Sequence, residues 1–253
     1  MITISVINQK GGVAKTTTAH AIGTGLALAG HRILLIDLDM QRSLTAIARA
    51  HTDVTILHVL NGTAPITEAV QAVYDVPGAD IIPGDKGLAL IDNVLHSTGK
   101  EHRLKEKLEE LRQSYDYCII DCPPTLNILT INALTASTHA VIPTTANYLS
   151  LQGINQLKET LEAVQTYTNR KLKIAGILVT QYNGRAILQR DALSIIETKA
   201  VQDLHTRVFK TKIRNGTAIQ EAQALKKSIF AYAPKSNVAM DYATFINELK
   251  EVL

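Results

Sequence analysis

The sequence contains no tryptophan, and aromatic residues make up only 4% of its 253 positions. A core built this way rests on aliphatic side chains, and the abundance of Ala, Leu, Ile and Thr suits tightly wound α/β layers and excludes a disordered chain. Cysteine is nearly missing. Cys118 and Cys122 are the two present, too few for a disulfide framework, so a reducing compartment is expected. No apolar run approaches the roughly 20 residues needed to cross a bilayer. The opening residues, Met-Ile-Thr-Ile-Ser-Val-Ile, have no basic region and no cleavage site, and read as a strand rather than a signal peptide. A soluble, cytoplasmic protein is the expectation. The eight histidines are scattered, with no H-E-x-x-H or paired spacing, and no zinc site is assigned.

What is present is a hydrophobic content of 46%, enough to give residues 1–253 the core of one large domain. There is no internal repeat, low-complexity tract or linker. The net charge of +3 is mild but unevenly spread. Between residues 205 and 236, Arg207, Lys210, Lys212, Arg214, Lys226, Lys227 and Lys235 face Glu221 alone, a local excess of +6. Such a concentration favours a face that binds polyanions.

Strand and helix signals alternate along the chain. Apolar strand-like runs fall at residues 2–7, 32–37, 79–82, 117–121, 139–144, 172–180 and 207–213. Helical spacing falls at 16–29, 43–50, 54–60, 101–113, 126–136, 150–168, 186–203 and 239–252. Alternation of this kind predicts a mostly parallel twisted sheet covered by helices on both faces, a three-layer αβα fold.

Three segments carry chemistry. Lys10-Gly11-Gly12-Val13-Ala14-Lys15-Thr16-Thr17 sits directly after a predicted strand and directly before a predicted helix, the context a phosphate-binding P-loop requires. Its backbone N–H groups and the helix N-terminus would face a phosphate, with Gly11 and Gly12 allowing close approach. Lys15 would meet the β- and γ-phosphates, and the Thr16 hydroxyl would meet Mg²⁺. The ordinary G-x-x-x-x-G-K-[ST] pattern is not met, because Gln9 and Ala14 stand at its glycine positions. Ala14 is tolerable at negative φ and strained at positive φ. The second segment, Ile33-Leu34-Leu35-Ile36-Asp37-Leu38-Asp39-Met40-Gln41, is an apolar strand with two carboxylates at its tip. The third, Tyr117-Cys118-Ile119-Ile120-Asp121-Cys122-Pro123-Pro124, ends another strand on Asp121.

With the extra lysine, Lys10, five residues before Lys15, the first segment resembles the deviant Walker A box, K-G-G-x-G-K-[ST]-T, of the ParA and MinD group of ATPases. The second resembles that group's D-x-D-P-Q box, with Met40 in place of proline, and the third its Walker B strand ending D-x-P-P. Three further stretches resemble ParA and Soj proteins: residues 146–153, residues 176–185, and the Tyr232-to-Ser236 box before the last helix. The resemblance implies a P-loop NTPase fold, ATP and Mg²⁺ as cofactors, and slow hydrolysis. By resemblance Lys10 reaches the partner's phosphates across a dimer, Asp39 orients the attacking water, Asp37 lies near Mg²⁺ and the loop lysine, Asp121 holds Mg²⁺ through a water, and Gln41 belongs to the nucleotide site.

It also implies an ATP-dependent homodimer on double-stranded DNA, bound without sequence preference, nucleoid-associated and stimulated by a ParB-like partner. Arg185, Lys210, Lys212, Arg214, Lys226 and Lys227 are the candidate DNA contacts. One departure bears on them: where many Soj-like chains read I-P-R-N-V-R-L-x-E, this one reads Ile213 to Glu221 with Ala218 at the second arginine position. The alternative is a MinD-like membrane-cycling ATPase. Its basic amphipathic C-terminal helix is not matched: Tyr242, Phe245, Ile246, Leu249 and Val252 form a stripe, but the tail is acidic and the stripe is expected to pack in the core. An electron-transfer ATPase like the nitrogenase iron protein would need cluster-ligating cysteines, which Cys118 and Cys122 do not match. They are expected to be buried and inert.

Overall fold

The computed structural model describes residues 1–93, 95 and 98–253, with the side chains of Leu149, Leu151, Gln152, Ile154 and Asn155 outside the description, so part of the 146–153 stretch falls there. The chain order is β1 (Ile2–Val6), α1 (Lys15–Leu28), β2 (Ile33–Asp37), α2 (Ser43–Ala48), α3 (Ile56–Asn61), β3 (Gln71–Ala72), β4 (Ala79–Ile82), α4 (Arg103–Glu109), β5 (Tyr117–Asp121), α5 (Ile128–Ala136), β6 (His139–Thr145), α6 (Tyr148–Tyr167), β7 (Lys173–Thr180), α7 (Ile187–Gln202), α8 (Thr217–Ala224), α9 (Ile229–Tyr232) and α10 (Asn237–Lys250). Among the described residues the strands form one seven-stranded sheet in the order β3-β4-β2-β5-β1-β6-β7. Every pairing is parallel except that of the short edge strand β3 with β4.

The continuous apolar strands have a physical reason: both faces of the sheet are covered. In β2, Leu34 and Ile36 point into one apolar layer with Leu134, Leu157 and Leu161, while Ile33 and Leu35 point into the other with Ile22, Leu26 and Phe245. Gly23 lets α1 lie close on the sheet, since a Cβ there would stand 2.5 Å from a Leu35 methyl carbon. The stripe of α10 is buried as the sequence suggests: Tyr242, Phe245, Ile246 and Leu249 all pack in that second layer. The helix begins at Asn237, two residues before the expected start, because the Ser236 hydroxyl caps it by accepting from the Ala239 N–H at 3.2 Å.

The expected strand at 207–213 is not a continuous strand. Its ends do pair with the β7 edge, Phe209 N–H donating to the Ile177 carbonyl and Ile213 N–H to that of Val179, both at 2.9 Å. Between them the N–H groups of Lys210 and Thr211 donate instead to the Glu248 carboxylate of α10, at 2.6 and 3.0 Å. That capture lifts the middle of the segment off the sheet and leaves isolated bridges at Val208 and Arg214. The predicted helix over 101–113 shortens to Arg103–Glu109, entered by a 3₁₀ turn at Lys100–His102. Helices α8 and α9 fall in a stretch where no helix is predicted from the sequence.

Candidate active site

Parallel strands bring their carboxyl ends, and the loops that follow them, to one edge of the sheet, where folds of this kind bind ligands. The loop after β1 leads into α1 there, and on one side of it β5 and then β2 end in Asp121 and Asp37, which are register partners on adjacent strands. The loop is fixed from several sides. Asn8, buried, donates to the Pro143 carbonyl at 2.7 Å and accepts from the Lys10 N–H at 2.9 Å. Thr180 at the end of β7 donates to the Val13 carbonyl at 3.1 Å, Gln181 to the Gly12 carbonyl at 2.7 Å, and Gln223 of α8 to the Thr17 hydroxyl at 2.8 Å.

Gly12 has φ +74 and Ala14 φ +64, both left-handed. Glycine adopts this freely, whereas the alanine methyl makes it a strained conformation. Ala14 is also the N-cap of α1 and offers no side-chain acceptor, and the first turn holds no acid. The first N–H groups of the helix therefore lack the usual internal partners and are available to an anion, reinforced by the helix dipole. A Cβ placed on Gly11 would meet no atom within 4 Å, so the space above the loop is open. That space is a groove of ≈ 570 Å³ whose walls include Gly11, Gly12, Lys15, Thr16, Asp39 and Gln41. It continues into a cavity of ≈ 330 Å³ sharing Gly12, Ala14, Thr17 and Gln223 and reaching Gln181, Arg214, Asn215 and Gly216.

Charge is concentrated under the loop. Lys15 is buried, its Nζ donating to the Lys10 carbonyl at 3.1 Å. Burial lowers its pKa, while the Asp121, Cys122 and Asp39 side chains pull it back up. Asp37 is fully buried and accepts from the Thr45 hydroxyl at 2.7 Å, the Thr45 N–H at 2.8 Å and the Asp39 N–H at 3.1 Å. Burial still raises its carboxyl to about 6. Asp121 is fully buried with neither oxygen in a hydrogen bond of good geometry. Its pKa is pushed well above the usual carboxylate range, first by burial and then by Asp37, and Thr16 and Lys15 offset this only in part. A buried carboxylate without donors is costly, and a cation at this point would remove that cost. The residues present thus fit a magnesium ion held from Asp121 and Thr16, and a polyphosphate over the loop.

The sequence-derived site residues Lys10, Gly11, Gly12, Val13, Ala14, Lys15, Thr16, Thr17, Asp39, Gln41 and Asp121 lie on this one sheet edge. Asp39 is half-buried at the groove wall, one carboxylate oxygen accepting from the Gln41 N–H at 2.9 Å. Asp37 stands next to Asp121, with both its oxygens engaged by backbone and Thr45. Val13 is buried below the loop rather than facing the groove. The Lys10 ammonium rests on the Asn147 side-chain oxygen at 2.9 Å and the Ser150 hydroxyl at 3.3 Å, at the start of α6. Sequence reading passed over Thr45 and Gln223, whose only signal is a polar side chain after a strand or on a short helix, and gave Thr180 and Gln181 no role beyond their place in the 176–185 stretch. The thiols of Cys118 and Cys122 are fully buried, and burial raises both pKa values.

Among the candidate DNA residues, Arg214 is bound to Asp241, with Nη2 and an acid oxygen 2.7 Å apart, and lines the second cavity. Lys212 is half-buried and donates to the Phe209 carbonyl at 2.8 Å. Arg185, Lys210, Lys226 and Lys227 are exposed.

Comparison with known proteins gives a consistent picture. Residues 1–174 match a family model described as an AAA domain. The sporulation initiation inhibitor protein Soj of Bacillus subtilis is 38% identical over 250 residues, covering 97% of each chain. The chromosome partitioning protein ParA of Caulobacter vibrioides is 34% identical over 252 residues, covering 97% of this chain and 92% of that one. The crystal structure of cobyrinic acid a,c-diamide synthase from Mycobacterium smegmatis with bound ADP and magnesium superposes with a TM-score of 0.84 at 33% identity, covering 98% of this chain and 93% of the other.

Proposed function

This chain belongs to the ParA/Soj family of P-loop partition ATPases, and on that premise we propose that it hydrolyses ATP, with Mg²⁺, as an ATP-bound sandwich dimer that holds duplex DNA without sequence preference and is stimulated by a ParB-like partner. The observation that carries the reading is the pair under the loop: the buried lysine Lys15 beside Asp121, a buried carboxylate whose oxygens lack a hydrogen bond of good geometry and are only partly offset by Thr16 and Lys15. That arrangement is unfavourable when empty and complementary to a metal-bound triphosphate.

In this reading the N–H groups of the loop and of the first turn of α1 bind the phosphates, and the Lys15 ammonium turns from the Lys10 carbonyl to the β- and γ-oxygens. Thr16 and Asp121 hold the metal, the latter through water. When bound, magnesium neutralises charge on the phosphate oxygens during transfer to water. Asp39 keeps one carboxylate oxygen free of the Gln41 N–H to orient that water. The cavity bounded by Gln181, Asn215 and Gly216 takes the base. Lys10 leaves Asn147 and Ser150 to reach the phosphates of a second copy, so that each site is completed by its neighbour.

Dimerisation is supported by large apolar side chains left exposed where α6 and α7 begin, on the same sheet edge as the loop: Tyr148 at 55%, Ile187 at 65% and Leu188 at 70% exposure. With Lys212 and Arg214 committed to internal partners, the DNA reading leans on Arg185, Lys210, Lys226 and Lys227, and such binding weakens steeply with salt. A membrane-cycling role is disfavoured, since the apolar stripe of α10 is spent on the core. Steady-state ATPase assays with and without duplex DNA test the reading. Activity is expected in wild type and absent in Lys15→Ala. Equal release of phosphate by the two proteins would refute it.

A further inference from the structure

Next to the nucleotide groove, sharing Gln41 and Ala46 with it, is another cavity of ≈ 300 Å³. Arg42, Arg49, Lys86 and Lys226 converge in its walls together with His51, and no carboxylate lines it. Lys86 and Lys226 are exposed, and Arg42 and Arg49 are half-buried. Among the described residues none of these four cations belongs to an ion pair. The Nε atoms of both arginines are buried without a hydrogen-bond partner.

Arg49 is held in place from behind. Its Nη2 donates to the Leu225 carbonyl at 3.0 Å, and its guanidinium carbon sits 4.3 Å from the centre of the Tyr74 ring. A guanidinium stacked this way is pre-organised, its remaining N–H groups fixed in direction. Arg42, Arg49 and Lys226 also have left-handed backbones, with φ of 57, 56 and 53. Arg42 takes this conformation where α2 begins, Arg49 where α2 ends and Lys226 just after α8 ends, so these helix boundaries set where the three side chains leave the backbone. Like charges gathered in one concavity repel, and buried N–H groups without acceptors are costly. A compact oxyanion in the cavity relieves the repulsion.

We propose that this cavity is a second oxyanion site, separate from the phosphate loop, that takes a phosphate-bearing ligand through Arg42, Arg49, Lys86 and Lys226. The site does not depend on what the loop binds or whether it hydrolyses it. The ligand's phosphate belongs either to a small free polyphosphate or to a duplex backbone. The concave shape suits either a compact polyphosphate or one backbone phosphate seated in it.

Calorimetric titration of the full chain with inorganic pyrophosphate, in the presence of saturating ADP to close the groove, tests this. A single saturable site is expected, weakened roughly tenfold or more in Arg42→Gly and in Lys86→Gln, as the loss of a charge-assisted hydrogen bond predicts. Glycine at position 42 relieves the positive φ, so the melting temperature of that variant is expected not to fall, and ADP affinity is expected to stay at the wild-type value in both. Substituting short duplex DNA for pyrophosphate separates the sources. Loss of duplex affinity in the same two variants assigns the site to backbone phosphate, and unchanged duplex affinity assigns it to free polyphosphate. No pyrophosphate binding to the ADP-saturated chain, or binding undiminished in both variants, overturns the proposal.

Discussion

Ala14 and Asp121 show how a residue can be poor for the empty fold and useful for its ligand. At φ +64 the Ala14 methyl is strained, and Ala14→Gly is expected to raise unfolding free energy by about 1 kcal/mol, measured by urea titration. The sequence identified this position, with Gln9, as one where the ordinary pattern has glycine but could not give the sign of φ, which depends on how the loop is anchored. Asp121 is buried with neither oxygen in a hydrogen bond of good geometry. Asp121→Asn removes a buried charge that Thr16 and Lys15 offset only in part, so the nucleotide-free melting temperature is expected to rise while ATP hydrolysis falls by about a hundredfold or more. A variant that melts lower than wild type and keeps its activity would contradict the assignment of this carboxylate to the metal.

At the scale of elements, the strands and long helices were legible because β1, β2 and β5 are buried on both faces, β2 and β5 reading as apolar runs and β1 as one interrupted by Thr3 and Ser5. The edge was not. Residues 207–213 have strand composition, yet Glu248, more than thirty positions later, takes the N–H groups of Lys210 and Thr211. Glu248→Ala is expected to cost about 2 kcal/mol through two lost charge-assisted hydrogen bonds, with increased amide exchange at 210 and 211 as the local signature. Helices α8 and α9 escaped notice because they are short and gain stability from docking rather than from their own periodicity. Helix α1 carries a pH-sensitive group, His20, buried and held down to about 4 by that burial. The unfolded chain protonates this ring from about pH 6.5 downward, whereas the folded one keeps it neutral. Its contribution is therefore complete above pH 6.5 and lost as pH falls through 4, a change of about 3 kcal/mol. Urea midpoints across that range are expected to drift downward in wild type, and His20→Leu to remove this part of the drift.

For the whole molecule, parallel strand order explains why motifs far apart in sequence act together: the carboxyl ends of β1, β2 and β5 lie side by side, and with them Lys15, Asp39 and Asp121. The three boxes were readable as local patterns. The links that brace them were not, because Lys10 with Asn147, Gly12 with Gln181, and Thr17 with Gln223 join distant positions through single hydrogen bonds. In the proposed reading the molecule is incomplete alone, since Lys10 would serve a neighbour's site. Light scattering with ATP and Mg²⁺, with ADP, and with no nucleotide tests this most directly. The mass of wild type is expected to double with ATP and Mg²⁺ only, and that of Lys10→Ala to remain that of one chain under every condition. A wild type that never changes mass, or a Lys10→Ala variant that doubles as wild type does, would contradict it.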